Sequence, residues 1–376
     1  MESHATRLTQ AHIHLDRLTH NLRLIAGEAP GALLWPVVKA NAYGHGAQIV
    51  ARHLVESGHR TLCVADVAEA MELKDASIDA SYIVLSATLP EHSEALVANG
   101  FEVVVCTRDM VEALARESKK AQREISLHVK VDTGMGRIGI RPDDVSAFLA
   151  HCREFPTLRV RGLMSHFPRA DEADKTYSIE QLKRFNRIVE ATKDQGIEVY
   201  HMANSAAIFD LPDSHFDAVR PGIAIYGLRP STDIANPKVG ELRPVLELKS
   251  RITFLKEVPQ GHGLSYGHAA HTARASLIAT VPAGYGDGVS RGLSNDIDML
   301  IRGTRCSQIG NVTMDMSLVD VTALRGQVKI GDEATLIGRD GTEEITADEL
   351  AAKLGTINYE IVTRIGQRVP RVAVGN

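Results

Sequence analysis

A short apolar run, Val37-Val38, ends in a lysine, Lys39, and a small-residue turn with Asn41, Tyr43, Gly44, His45 and Gly46 follows it. A lysine at the desolvated end of a buried strand loses pKa and becomes a nucleophilic amine, whose natural use is a Schiff base with a carbonyl compound. The same side chain can instead run along an apolar rim and leave its ammonium in water. Spacing alone does not choose between the two. Other apolar runs also end in chemistry-bearing residues: Lys130, Asp132 and Arg137; Ser165 and His166; His201, Asn204 and Ser205; Arg220, Gly222 and Tyr226. One polar run end is chance, but several that converge are hard to explain as packing.

The company of Lys39 points to a phosphorylated aldehyde as cofactor. "ANSAA" places Ser205 where a helix can begin, and backbone N–H groups at such a start hold phosphate. "RPGIAIYG" offers the amides of Gly222 and Ile223, which a ligand can approach because Gly222 has no side chain. Arg220, just ahead of that turn, is placed to point at a ring nitrogen. A plain N-cap for Ser205 and a surface ion pair for Arg220 stay open as alternatives. A rival motif is present in "DTGMGRIG", where Gly134, Gly136 and Gly139 fit GxGxxG after a strand, with Glu154 further on. That is the pattern of a nicotinamide dehydrogenase. We set it aside because the motif lies in the middle of a βα series and carries Arg137 inside it, with Lys130 and Asp132 just ahead. The ends of the seventh and eighth runs already account for a phosphate.

The elements that must position these groups repeat from residue 34 to residue 226. Eight short runs rich in Val, Ile or Leu are separated by polar turns and stretches of helical periodicity, such as Ile179, Leu182, Phe185, Ile188 and Val189. The alternation predicts an α/β fold, a (β/α)8 TIM barrel, which typically takes about 250 residues and carries its chemistry at the strand C-termini. Near residue 240 the texture changes to strands split by Gly, Asp and Pro turns, the mark of a mostly antiparallel β domain. We therefore expect a barrel over 1–240, with the first ~10 residues free to pack on the β domain, and the β domain over 241–376. Thr346 and Glu349 stand in capping-box spacing before a late helix.

Bulk properties narrow the function classes. The chain has 376 residues, 44% apolar and 24% charged, with a net charge of −5. No basic excess speaks for a nucleic-acid partner. No apolar stretch approaches the length of a membrane span, and the N-terminus lacks a signal-peptide pattern, so no membrane association is expected. Four cysteines without CxxC spacing suit a reducing cytoplasm and give no zinc motif. His12 and His14 alternate along one strand face and there is no HExxH, so no metal is expected.

The motif series "VVKANAYGHG", "HVKVDTGMGRIGI", "HMANSAA", "VRPGIAIYGL", "GLSYGH", "PAGYGDG", "NVTMDM" and "NYEIVTRIGQRVPR" resembles that of bacterial alanine racemases. The likeness runs in order through nearly the whole chain. It implies a pyridoxal 5′-phosphate (PLP) enzyme that racemises L-alanine and D-alanine by two bases and supplies D-alanine for peptidoglycan. Lys39 is implied as the cofactor lysine and one base, and Tyr266 of the partner chain in a head-to-tail homodimer as the other. Related barrel decarboxylases also carry a KAN-type lysine, and "GLSYGH" separates the two groups. By position, the resemblance assigns Tyr43, His166, Asn204, Ser205, Gly222, Ile223 and Tyr359 to the cofactor, mostly its phosphate. Arg220, backed by His201, is assigned to the pyridine nitrogen. Arg137 is assigned to the ring hydroxyl and substrate carboxylate, and His166 supports Tyr266. Tyr285, Met314 and Asp315 line the substrate entrance, and Lys130 matches a lysine that is often carbamylated. The chain departs at Gly286, where Ala is commoner, and at Thr313, where several members have cysteine. Thr313 bears on substrate range because it is expected beside the side-chain pocket.

Overall fold

The first strand, β1 (Gln10–His14), does not join the eight that follow it. Those eight are β2 (Leu33–Leu34), β3 (Thr61–Val64), β4 (Ser81–Val84), β5 (Glu102–Val105), β6 (Ile125–Lys130), β7 (Leu158–Met164), β8 (Val199–His201) and β9 (Ala218–Val219). They form one parallel sheet in the order β2-β9-β8-β7-β6-β5-β4-β3. The sheet closes on itself just after β2. Trp35 N donates to Val219 O at 3.0 Å and Val37 N to Pro221 O at 2.9 Å, while Val38 N and Cys63 O meet at 2.8 Å on the other side. Pro36 has no N–H and interrupts the ladder, but its carbonyl accepts from Cys63 N at 2.8 Å. This is a (β/α)8 barrel.

The computed structural model describes residues 6–375. The chain forms two units: Leu18–Ala42 with Gly46–Arg243, and Met1–Arg17 with Tyr43–His45 and Pro244–Asn376. Barrel strands read as unbroken apolar runs because parallel strands are buried on both faces; all four residues of β5 are buried. Outer helices bury one stripe only. In Arg108–Ala121 that stripe includes Met110, Val111 and Leu114. The eighth run ends early: after Ala218–Val219 the sequence Arg220-Pro221-Gly222 turns the chain into a short helical turn, Ile223–Tyr226, instead of continuing as strand. Tyr226 is structural there, its buried hydroxyl donating to Val37 O at 2.9 Å.

The second unit is mostly antiparallel. Its strands are β10 (Leu246–Arg251), β11 (Phe254–Val258), β12 (Gly263–Leu264), β13 (Ala270–His271), β14 (Ser276–Val281), β15 (Asp298–Ile301), β16 (Thr304–Ser307), β17 (Ser317–Asp320), β18 (Glu333–Asp340), β19 (Glu343–Ile345) and β20 (Arg371–Val374). One sheet runs β16-β15-β18-β10-β1-β20 with β19 on β18, a second runs β11-β14-β17, and β12 and β13 form a hairpin. β1 lies antiparallel to β10 and parallel to β20, so the N-terminal strand belongs to the β unit. Val258, Leu264 and Ile278 centre a small core in this unit. Thr346 caps the helix Ala347–Leu354, its Oγ1 accepting from Glu349 N at 3.0 Å. Among the described residues no helix is long and apolar enough to cross a membrane.

Candidate active site

Lys39 opens a turn of unusual hand. Ala40, Asn41, Ala42 and Tyr43 take φ values of 52°, 52°, 53° and 52°, four successive non-glycine residues in the left-handed region. Such backbone costs roughly 1–2 kcal/mol per residue and has to be held from outside. Within the barrel unit, Asn41 does part of this. Its Oδ1 accepts from Ala47 N at 2.7 Å and its carbonyl accepts from Gly46 N at 2.9 Å. Glu69 adds to it, one carboxylate oxygen accepting from Ala40 N at 2.6 Å and the other from Ala65 N at 2.7 Å. Lys39 is half-buried. Burial, then the Arg137 guanidinium, lower its pKa, while Glu69 opposes them. The turn thus presents an amine biased toward its neutral, nucleophilic form.

Three more basic groups share that end of the barrel. Lys130, at the end of β6, is buried. Its burial and the guanidiniums of Arg220 and Arg137 push its pKa far down. Asp132 opposes them, but its carboxylate is taken up by the N–H groups of Gly134, Met135 and Gly136 at 2.9, 2.8 and 3.1 Å. Arg137 is exposed and lowers the pKa of Lys39, Lys130 and His166 alike. Arg220 is buried beyond β9 and donates to Ser165 O at 2.8 Å, Met202 O at 3.2 Å and His201 Nδ1 at 2.5 Å. Burial brings its pKa down to about 10, so the guanidinium stays a cation at neutral pH. Burial first, and then the basic groups Lys130, Arg220, Arg137 and Lys39 around it, push the His166 pKa far down, and its Nδ1 lies 3.4 Å from Arg220 Nη2.

Asn204, not Ser205, is the N-cap of the helix Ser205–Asp210, accepting from Ala207 N at 3.0 Å. Ser205 is buried one position on, and its Oγ accepts from Gly222 N at 2.9 Å and Ala224 N at 3.3 Å. The hydroxyl and the amide edge of the Gly222–Ile223 turn therefore lie together.

The remaining sites lie in the β unit. Tyr43 and Tyr359 pack with ring centroids 6.2 Å apart. Gly44, at φ +82°, lets the turn after Tyr43 approach the helix Asn358–Thr363 that carries Tyr359, since a Cβ there lies 2.0 Å from Val362 O. Arg371 fastens the same turn, donating to Gly44 O at 2.9 Å and to Ile365 O, Gly366 O and Val369 O. Tyr266 stands on the β12–β13 hairpin with 75% of its surface exposed, held by its backbone: its carbonyl accepts from Asn311 Nδ2 at 2.8 Å. Tyr285 and the Thr313–Asp315 loop are joined through Tyr285 N to Thr313 O at 2.9 Å and Gly286 N to Met314 O at 2.9 Å. Arg368 braces both, reaching Asp315 Oδ1 at 2.7 Å, Met314 O at 3.0 Å and the buried Asp287 at 3.0 Å.

Sequence reasoning did not find Glu69, nor Glu102, His128 and Arg161 inside the barrel. A signal existed for His128. It lies two positions before Lys130 in "SLHVKVD", and the period of two puts both on one side of β6. Glu69 reads as an ordinary first-turn acid of the helix Val67–Asp75, and nothing local marks its second use.

A parallel barrel with a basic, nucleophilic mouth and a separate antiparallel domain defines the class, a two-domain barrel-type enzyme. Comparison with known proteins gives the family. Two family models match in succession, "Alanine racemase, N-terminal domain" over residues 13–230 and "Alanine racemase, C-terminal domain" over residues 245–373. An alanine racemase from Halothermothrix orenii is 43% identical over 375 residues, covering 99% of this chain and 98% of that one. Among solved structures, an alanine racemase from Clostridium difficile 630 superposes with a TM-score of 0.93 at 35% identity, covering 98% of this chain and 96% of the other. The Bacillus anthracis alanine racemase with bound L-Ala-P gives a TM-score of 0.91 at 36% identity, again covering 98% and 96%. The chain belongs to the alanine racemase family and is an enzyme of that type.

Proposed function

We propose that this protein interconverts L-alanine and D-alanine with pyridoxal 5′-phosphate as its cofactor, and that two groups on opposite faces of the α-carbon move the proton. The observation that carries the reading is the barrel mouth. Burial, and after it Arg137, press a lysine amine toward neutrality there, beside Lys130 and Arg220, and the nearby Asp132 carboxylate is already occupied by backbone N–H groups. Such a cluster selects anions, and the cofactor phosphate and the amino-acid carboxylate are two.

The donor set fits this cofactor. Lys39 supplies the amine for its aldehyde. Ser205, the amides of Gly222 and Ile223, and the phenols of Tyr43 and Tyr359 suit its phosphate, with Asn204 shaping the turn. Arg220, held by His201, directs a permanent cation at the ring nitrogen and disfavours protonation there. Arg137 takes the ring hydroxyl and the substrate carboxylate. Bound in this way, the cofactor draws electron density from the α-carbon and makes its hydrogen acidic. Lys39 then takes the α-proton on one face and the Tyr266 phenol delivers a proton to the other, with the roles exchanged in the reverse direction. One proton is removed and one returned, so nothing else is consumed. His166 supports Tyr266 in this role.

The Tyr266 that serves a given Lys39 comes from a second copy of the chain in a head-to-tail homodimer. This is supported by the exposure of Tyr266 at 75%, Tyr285 at 44%, Met314 at 52% and Met316 at 49%, a run of large apolar groups that needs cover. Tyr285, Met314 and Asp315 then line the entrance through which alanine passes. We place the enzyme in the cytoplasm, where its D-alanine feeds peptidoglycan. The protein loaded with pyridoxal 5′-phosphate and given L-alanine in D2O is expected to release D-alanine deuterated at Cα. Carbon dioxide release without D-alanine would make it a decarboxylase, and cofactor binding without α-proton exchange would make it a carrier.

A further inference from the structure

A buried line of polar groups inside the barrel continues from Arg220 and His201 to two residues with no role so far, His128 and Glu102. Arg220 Nη1 meets His201 Nδ1 at 2.5 Å, His201 Nε2 meets His128 Nδ1 at 3.0 Å, and His128 Nε2 meets Glu102 Oε2 at 2.8 Å. All four residues are buried, with both histidines at 0% exposure. The direction of each bond follows from chemistry. A guanidinium N–H can only donate, so His201 Nδ1 accepts. A neutral His201 then carries its proton on Nε2 and donates to His128 Nδ1. His128 in turn carries its proton on Nε2 and donates to the carboxylate. Burial, then the Arg220 cation, hold His201 neutral, and burial outweighs Glu102 in doing the same for His128. Glu102 resists its own burial because His128 and the Arg161 guanidinium favour its charged form.

The surroundings are shaped to this line. The Trp35 ring packs edge-on against both imidazoles, with centroids at 5.7 Å from His128 and 4.9 Å from His201. Arg161 lies over the Trp35 ring at 5.6 Å while pairing with Glu102. Gly162 leaves the space the His128 ring needs, since a Cβ there falls 2.4 Å from His128 Nδ1.

We propose that Glu102 and His128 are positioning residues for Arg220, because together they fix the one His201 tautomer whose Nδ1 lone pair can hold the guanidinium. The other tautomer sets N–H against N–H and leaves Arg220 with only the carbonyls of Ser165 and Met202 as strong partners. The proposal rests on the reading of Arg220 as the group that faces the cofactor's ring nitrogen. It deepens that reading by tracing the control of the guanidinium to a carboxylate on a different strand.

The test compares wild-type holoenzyme with Glu102→Leu, Glu102→Gln and Gly162→Ala. Long-range 1H–15N spectra of the histidine rings report the tautomers directly, and alanine kinetics report the ratio of racemisation to transamination. In Glu102→Leu, His201 is expected to lose its single Nε2-protonated form. Its kcat should fall about tenfold to a hundredfold, the usual effect of an outer-shell partner, with KM for alanine little changed and the share of transamination raised. Glu102→Gln keeps an acceptor oxygen and should restore most of the wild-type pattern. Gly162→Ala pushes the His128 ring aside without altering any charge and should reproduce the Glu102→Leu signature, so it decides the matter if Glu102→Leu does not fold. Wild-type tautomers in Glu102→Leu or Gly162→Ala would overturn the proposal, as would a fall in kcat with the reaction ratio unmoved. A wild type that does not racemise alanine would refute the function proposed above, whereas the ring spectra of the full chain decide the relay either way.

Discussion

Glu69 holds the turn that presents Lys39, and Glu69→Gln tests how firmly. Its carboxylate accepts from Ala40 N at 2.6 Å and from Ala65 N at 2.7 Å, one oxygen for each. A hydrogen bond to a charged acceptor contributes about 1.5–3 kcal/mol, and Glu69 is half-exposed, so we take the lower figure, about 3 kcal/mol for the pair. Glutamine retains one oxygen and about 1 kcal/mol, while its NH2 group faces the second N–H as donor against donor. The expected loss is about 2 kcal/mol, comparable to the strain of one or two left-handed residues in the Ala40–Tyr43 turn. Local opening should then be about 30-fold more frequent, at 1.36 kcal/mol per factor of ten. Native-state amide exchange measures this at Ala40 and Ala65, with an amide in β5 such as Val104 as the unaffected reference. Loss of the carboxylate also removes the group that opposes the fall in Lys39 pKa, so Lys39 should become still less basic. Wild-type protection at Ala40 in the variant would refute the claim that Glu69 restrains the strained turn.

Lys39 should carry the cofactor covalently: borohydride reduction and peptide mapping should find the pyridoxyl group there, and a label on another lysine would contradict the assignment. Lys39→Ala should lose several orders of magnitude in rate, since nucleophile and base go together. Lys130, a buried amine pressed toward neutrality beside two guanidiniums, should add carbon dioxide, releasing a proton and becoming an anionic carbamate that offsets Arg137. A crystal structure with a bare lysine there, and Arg137 held by Asp132 instead, would refute this. Glu247, set among His14, Arg17 and Lys249, resists the upward push of its burial and has its pKa depressed from 4.5 to about 2 by those neighbours. A depressed carboxylate stabilises the fold above its unfolded pKa and loses that contribution as pH falls through the folded one. Urea titrations should therefore show wild type ahead of Glu247→Gln by on the order of 3 kcal/mol above pH 5, with the gap closing toward pH 2, and a pH-independent gap would count against it.

Most of the barrel was legible because parallel strands are buried on both faces and announce themselves as unbroken apolar runs, as "EVVV" at 102–105 does. The chemistry at their ends was legible for a related reason. Lys39, Lys130 and Arg220 are conspicuous because each interrupts or closes such a run. What escaped notice depends on contacts distant in sequence. Glu102 and His128 lie 26 positions apart, and His128 lies 73 before His201, which was already singled out; only the parallel register of β5 to β8 brings the three into line. The left-handed turn was hidden for another reason, since it contains no glycine and the alanines on either side of Asn41 disfavour that region. Its supports are a helix acid and an asparagine whose side chains act across several residues. That β1 enters the C-terminal sheet likewise follows from its pairing with β10 and β20 and not from anything in "QAHIH" itself.

The central claim is a racemase site made by two copies of the chain, Lys39 from one and Tyr266 from the other. Complementation tests it most directly. Lys39→Ala and Tyr266→Ala chains are each expected to be inactive as homodimers. Co-expressed with different tags and purified through both, they form heterodimers with two unlike sites. One site carries both lesions, and the other joins an intact Lys39 to an intact Tyr266. The account predicts that such a heterodimer regains about half the wild-type racemase activity, one working site of two. A heterodimer as inactive as its parents would place Tyr266 in its own chain's pocket and contradict the shared site.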